Sequence, residues 1–180
     1  VFVDAKQGEI FMLKKELISL NTGMDTFLRD ALKVTGKNTY IGNGITLGWD
    51  QRYKRILLTV KNDGDPDKSF TASYSVLGKG WVFFHDYLPD MYLHTREQLY
   101  PIKHSHVFKA HAGNPGKYFD NTVTKPFFID IVFPAETEIL AESVNWVSEY
   151  LDNSTNQLFN TLTHISIWNS HQHSGRINLL

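Results

Sequence analysis

The chain has 180 residues, 42% hydrophobic and 21% charged, a balance that supplies a sizeable core and excludes a disordered polymer. Its net charge is −1, from 18 Lys and Arg against 19 Asp and Glu; this excludes a strongly basic nucleic-acid grip but not passage of nucleic acid past a neutral surface. No cysteine is present, so disulfides and thiolate chemistry are excluded, and no apolar run reaches the roughly 20 residues of a membrane-spanning helix.

Residues 1–13 read as a hairpin turning at Ala5-Lys6-Gln7-Gly8. A short helix is predicted next, because Met24, Phe27, Leu28, Ala31 and Leu32 recur at helical spacing and form one apolar stripe. Asn21 and Thr22 are its expected caps, Asp25 lies in its first turn, and Lys33 with Gly36 marks its end. Residues 44–60 and 69–95 read as consecutive antiparallel hairpins, rich in aromatic and β-branched residues and separated by the turn-forming loop 62–68. One phase recurs. Asp4 precedes Ile10 by six residues, Asp50 precedes Ile56 by six, and Ser75 precedes Trp81 by six, which suggests a repetitive all-β body such as a propeller.

Two further short strands are expected over 98–110, ending at the loop 112–116. The run 127–133, nearly all apolar and bounded by prolines, reads as a buried strand. Residues 138–151 fit two patterns: Leu140, Val144, Val147 and Leu151 mark a helical face, while Val144, Trp146, Ser148 and Tyr150 alternate as on a strand. Asn153-Ser154-Thr155-Asn156 breaks that pattern, and 162–176 reads as strand, turn and strand. The expected architecture is one all-β domain over 1–180 with one or two short helices and propeller-like repeated hairpins. Its packing is assigned to Trp81, Phe83, Phe84, Phe127, Phe128, Ile131 and Trp168. Because the chain opens directly in a strand and closes on strand-like residues, it is expected to be a piece of a longer polypeptide, truncated at both ends.

Few residues offer chemistry. His104, His106 and His111 lie close in sequence, and alternation puts the first two on one strand face, but without cysteine or a His-Glu-x-x-His helix solvated histidines are the preferred reading. His171 and His173 are read in the same way. Asp86, Asp90, Asp130, Glu136, Glu138 and Glu142 are available carboxylates; glycosidase chemistry needs two of them held about 5–9 Å apart with one pKa raised by burial. Nothing in their spacing specifies such a pair. No Gly-x-Ser-x-Gly elbow or phosphate-binding glycine pattern occurs. The expectation is therefore no catalytic residue, no cofactor and no metal. Trp49, Trp81, Tyr87, Tyr92 and Tyr100 would suit sugar stacking, although packing between sheets is the preferred reading. Arg52, Lys54, Arg55, Lys103, Lys109, Lys117 and Lys125 could touch phosphates, with acidic residues interleaved among them.

Taken in order, a series of short motifs resembles a structural protein of tailed bacteriophages with short tails. They are Val3-Asp4-x-Lys6-Gln7-Gly8-x-Ile10-Phe11, then Gly23-Met24-x-x-Phe27-x-Arg29-Asp30, then Trp49-Asp50-x-x-Tyr53-x-x-Ile56-Leu57. Gly80-Trp81-x-Phe83-Phe84-x-x-Tyr87-x-Pro89-Asp90-x-Tyr92 follows, and Phe159-Asn160 to Ile167-Trp168-Asn169-x-x-Gln172-x-Ser174-Gly175 is similar to a late strand pair of the same proteins. The likeness is to the tail nozzle, or muzzle (stabilization), proteins of crAss-like phages, related to nozzle and tail-hub proteins of other short-tailed phages. It implies a non-enzymatic, propeller-rich ring, usually of six copies, that continues the DNA exit channel, helps retain packaged DNA and docks portal and other tail proteins. It further implies a strand over 144–150, location in the virion after synthesis in the bacterial host cytoplasm, non-specific contact with packaged DNA, and no membrane partner. The alternative, from a different class, is a carbohydrate- or receptor-binding β-domain that uses exposed aromatic residues.

Overall fold

The computed structural model describes residues 1–33, 40–113, 117–119, 128–132, 162–169 and 171–179. The chain divides into two compact units, Val1–Phe127 and Phe128–Leu180. The described residues are mostly β-sheet with one α-helix, and their four antiparallel sheets are all open.

In the first unit, β1 (Phe2–Asp4) and β2 (Glu9–Leu13) form the expected hairpin. Asp4 starts the turn by accepting the N–H groups of Lys6 and Gln7 at 3.0 and 3.1 Å. A third strand, β3 (Leu17–Ser19), joins β2 without a signal in the sequence pattern; three residues are too few to display a period. Next comes α1 (Asp25–Leu32), which buries Leu28 and Leu32. Its residue before the first turn is Met24, with no side-chain cap. Asn21, an expected cap, is used elsewhere: its Oδ1 accepts the Ile10 N–H and its Nδ2 donates to the Gly8 carbonyl, each at 3.0 Å. The buried hairpin backbone needs those partners more than the helix end, which is exposed to water.

The sheet that organises this unit is β4 (Ile45–Asp50), β5 (Arg55–Val60), β6 (Phe70–Ser75) and β7 (Gly80–His85), in sequential order. The six-residue phase of the sequence is its hairpin geometry. Asp50 accepts the Arg52 N–H at 3.2 Å and Ser75 accepts the Gly78 N–H at 3.0 Å, as Asp4 does in the first hairpin. Ile10, Ile56 and Trp81 then pair with Val3, Trp49 and Tyr74.

Strand alternation gives the sheet two different faces. Ile56, Leu58, Val60 and Tyr74 point to a core shared with Ile10, Leu20, Leu28 and Leu32, flanked by Leu47, Trp49, Phe70 and Trp81. Leu57 points the other way, packing with Tyr92 of β8 (Met91–His94) and Leu99 of β9 (Leu99–Lys103). These two strands and β10 (His106–Val107) make a second three-stranded sheet, the pair expected over 98–110. A register shift between Ser73 and Tyr74 leaves Val82 between two paired residues of β7. This bulge lets Trp81 and Phe84 share the core face while Phe83 and His85 take the other.

The assignment of packing residues is corrected accordingly. Trp81 is a core residue, its Nε1 donating to the Leu20 carbonyl at 2.7 Å. Phe83 and Phe84 are each 61% exposed. They lie on an edge strand, which has too little structure above it to cover them; Phe84 covers part of its surface against Phe27 and Phe70, at ring distances of 5.7 and 5.8 Å.

In the second unit, β11 (His164–Ile165) and β12 (Ile177–Asn178) pair, with a bridge between Trp168 and His173 inside them. This matches the expected strand–turn–strand. Asn169 makes the tip by accepting the His171 and Gln172 N–H groups, both at 2.8 Å. Trp168 is exposed and stacks on His173 at 6.2 Å. The expected buried strand over 127–133 is overturned at 128–132, which contains no strand and leaves Phe128 and Val132 80% and 84% exposed. Apolar content alone does not make a strand; a ladder partner must take the backbone groups, and none is found among the described residues. Phe127, residues 138–151 and residues 153–156 lie outside the described residues.

Candidate functional site

The first unit contains an open cleft of about 1220 Å³ on the side of the β4–β7 sheet away from the main core. One wall comes from the sheet: Arg55, Ser75, Phe83 and His85. The opposite wall follows β9, where backbone pairing runs on past β10: Phe108 N–H donates to the Pro101 carbonyl and Ala110 N–H to the Leu99 carbonyl, both at 3.0 Å. That extension carries Lys109 and His111 to the cleft. Gln98 holds it in place, donating to the Ala110 carbonyl at 2.8 Å.

At the base of the cleft lies Asp50, 1% exposed at the end of β4. Register places it directly opposite Arg55. One carboxylate oxygen accepts from Arg55 Nε at 2.8 Å and contacts His111 Nε2 at 3.0 Å, while the other holds the Arg52 amide. Tyr53, at the same turn, has the Arg52 and Arg55 guanidinium carbons 5.5 and 4.8 Å from its ring centre and the His111 ring edge-on at 4.9 Å. The carboxylate and this ring fix both arginines and the histidine.

Much of the rest of the lining is aromatic. Tyr87 lies 5.2 Å from both His85 and Tyr118, and Phe119 lies 4.9 Å from Phe108. Lys103 Nζ sits 5.2 Å from the Phe119 ring centre. Burial first, and the Arg55 cation second, lower the His85 pKa to about 4, so the imidazole is neutral at pH 7. Its Nε2 is enclosed without a hydrogen-bond partner among the described residues. Burial also raises the phenol pKa values of Tyr87 and Tyr92.

Behind the cleft runs a chain of buried hydroxyls. Tyr92 Oη pairs with Thr59 Oγ1 at 2.7 Å, Thr59 pairs with Thr71 at 2.8 Å, and Thr71 donates to the Tyr87 carbonyl. Gly48 makes room for it: a Cβ there would stand 2.6 Å from the Tyr92 ring. The two sheets are therefore as close as backbone against ring allows.

Most candidate residues from the sequence part company. His104 sits in the turn after β9 and donates its backbone N–H to Asp90; His106 is exposed; His111 contacts Asp50. Among the described residues no group of three or more potential metal ligands forms. Asp90 pairs with Lys61, and although burial works to raise its pKa, that ammonium and the His104 amide lower it below the usual carboxylate range. Asp86 and Asp130 are exposed, and the three glutamates lie outside the described residues. Ser75 lines the cleft, but its hydroxyl serves the Gly78 turn and makes no hydrogen bond to His111. Trp49, Trp81 and Tyr92 are packing residues and Tyr100, on β9, does not line the cleft, which leaves Tyr87 as the aromatic candidate that does.

The basic residues come together better. Arg52, Arg55, Lys109 and Lys117 line one cleft, whereas Lys54 lies in the β4–β5 turn, Lys103 ends β9 outside the lining, and Lys125 is outside the described residues. Sequence reasoning misses Asp50, His85 and the coupling of His111 to Asp50. One signal for Asp50 is present: an acid and a base, Asp50 and Arg55, flank a four-residue turn within a predicted hairpin. No helix among the described residues is long and apolar enough to cross a membrane. Comparison with family models, curated proteins and solved structures finds no match to this chain.

Proposed function

We propose that this chain is a structural component of a bacteriophage tail, a nozzle or stabilization protein that forms part of a ring around the DNA exit channel and helps retain packaged DNA. The observation that carries this reading is the ordered motif series, whose Asp4 and Asp50 fall on four-residue hairpin turns of one geometry, shared by the turn at Ser75 that precedes the Gly80-Trp81 motif. A propeller-type repeat is the finer form of the same reading, with each hairpin contributing to a blade. Support for subunit contacts comes from β7, an edge strand whose Phe84 is exposed on the face away from the cleft. Specific interfaces bury on the order of 1,200 Å² or more, and such apolar side chains suit their centre.

Native mass spectrometry and negative-stain microscopy of the full-length protein test the proposal, together with protein identification in purified particles. A ring, and presence in the particle, is the expected result. A protein that stays monomeric at all concentrations and is missing from particles overturns it.

A further inference from the structure

The cleft has a composition the tail reading does not require. Its lining holds four permanent cations, Arg52, Arg55, Lys109 and Lys117, and no carboxylate among the described residues, in a chain whose acids outnumber its bases. Asp50 offsets one of them, Arg55, from below. Arg52, Lys109 and Lys117 form no ion pair with a described carboxylate, so the cleft carries local positive charge on an otherwise near-neutral protein. Fixed cations in a concave site raise the local concentration of anions. Beside them stand exposed rings, Phe83 and Tyr118, with Phe108 and Phe119 half-buried.

We infer that this cleft binds a nucleotide, with the phosphate held by Arg52, Lys109 and Lys117 and the base stacked against the Phe83 and Tyr118 rings. Cations beside ring faces are the pairing used for unpaired nucleotides, since every base offers a π-face and every unit a phosphate. Size points the same way. At about 1220 Å³ the cleft is somewhat larger than the roughly 300–1,000 Å³ of small-molecule sites, which leaves room for one or two nucleotides. A neutral sugar fits less well, because its hydroxyl hydrogens want carboxylate acceptors and the lining has none among the described residues. The nucleotide is either free or an unpaired unit of a strand. This site does not depend on ring assembly.

The test uses the full chain and four probes: thymidine 5′-monophosphate by calorimetry, then a labelled oligothymidylate, the same strand in duplex form, and an oligogalacturonate by anisotropy or calorimetry. Binding of the monophosphate supports a free nucleotide, and binding of the single strand alone supports an unpaired unit. In either case Arg52→Gln with Lys117→Gln, and separately Phe83→Ser with Tyr118→Ser, should weaken binding roughly 5- to 150-fold. These four side chains are exposed, so the melting temperature should hold; Lys109→Gln gives a third, independent variant. The inference is overturned if neither nucleotide probe binds, if duplex and single strand bind equally and the ring variants change nothing, or if only the acidic oligosaccharide binds.

Discussion

The two faces of the β4–β7 sheet are built from the same strands and solve different problems. On one, Ile56, Leu58, Val60 and Tyr74 meet a hairpin and a helix in a dry core. On the other, Arg55, Leu57 and Thr59 alternate with them and meet an ion pair, a hydroxyl chain and an open cleft. Shape-filling stabilises the first face, where any missing atom leaves a void. The second depends on partner satisfaction, where a missing hydrogen bond leaves a desolvated polar group. The contrast also separates tasks, since the apolar face anchors the sheet and leaves the polar face free to present charge.

The largest effect should come from the core. Leu58 is fully buried among branched and aromatic neighbours, so Leu58→Ala should lower unfolding free energy by roughly 2–5 kcal/mol in urea titration. On the opposite face, Asp50→Asn strips the carboxylate from Arg55 and His111 and should cost about 3 kcal/mol, although no volume is lost. A cost well under 1 kcal/mol would mean that water, and not Asp50, carries the compensation.

His85 makes the cleft face sensitive to acid. Its folded pKa of about 4 lies below the unfolded value of 6.5, so the unfolded chain binds the proton first as pH falls. Stability should therefore be unaffected by this group above pH 6.5. It should decline between 6.5 and 4, by about 3 kcal/mol at the limit. Asp90, also held below its usual range, adds a loss of the same sign further into acid. His85→Leu should flatten the pH 4–6.5 segment of the stability curve; an unchanged curve would assign the slope to another group.

Smaller effects refine the comparison. Tyr92→Phe removes the end of the hydroxyl chain but leaves Thr59 paired with Thr71, so a loss of about 1 kcal/mol is expected. Ser73 is fully buried, and its hydroxyl has no partner among the described residues. Ser73→Ala should accordingly change stability by no more than about 0.5 kcal/mol, or improve it. If it cost as much as Leu58→Ala, the distinction between the two faces would fail.

Local grammar is legible in the chain. Asp4, Asp50 and Ser75 announce their turns six residues ahead of Ile10, Ile56 and Trp81, because a side-chain oxygen closing on nearby amides is a short-range interaction. The α1 stripe is legible for a similar reason: Leu28 and Leu32 lie one helical turn apart. Asn21 reads locally as a helix cap and is not one, because its two partners, Gly8 and Ile10, come from a neighbouring hairpin. Phe83, Phe84 and Phe128 read as packing residues and are exposed, because hydrophobicity states what a side chain prefers, while burial depends on what the fold places above it.

The cleft illustrates the same division. Arg52, Arg55, Lys109 and Lys117 are recognisable as phosphate-seeking types, scattered over a span in which acids are interleaved. Their convergence, with no acid among the described lining residues and the buried Asp50 behind Arg55, requires β9 and its extension to lie across from β5 and β7. The chain by itself thus determined its hairpins, its helix and the alternation that gives each strand two faces, since these are set by residues within a few positions of one another. Tertiary structure alone decided which aromatics are covered, which histidine meets Asp50 and where the positive charge collects. Those outcomes come from contacts between segments tens of residues apart, whose approach no local pattern encodes.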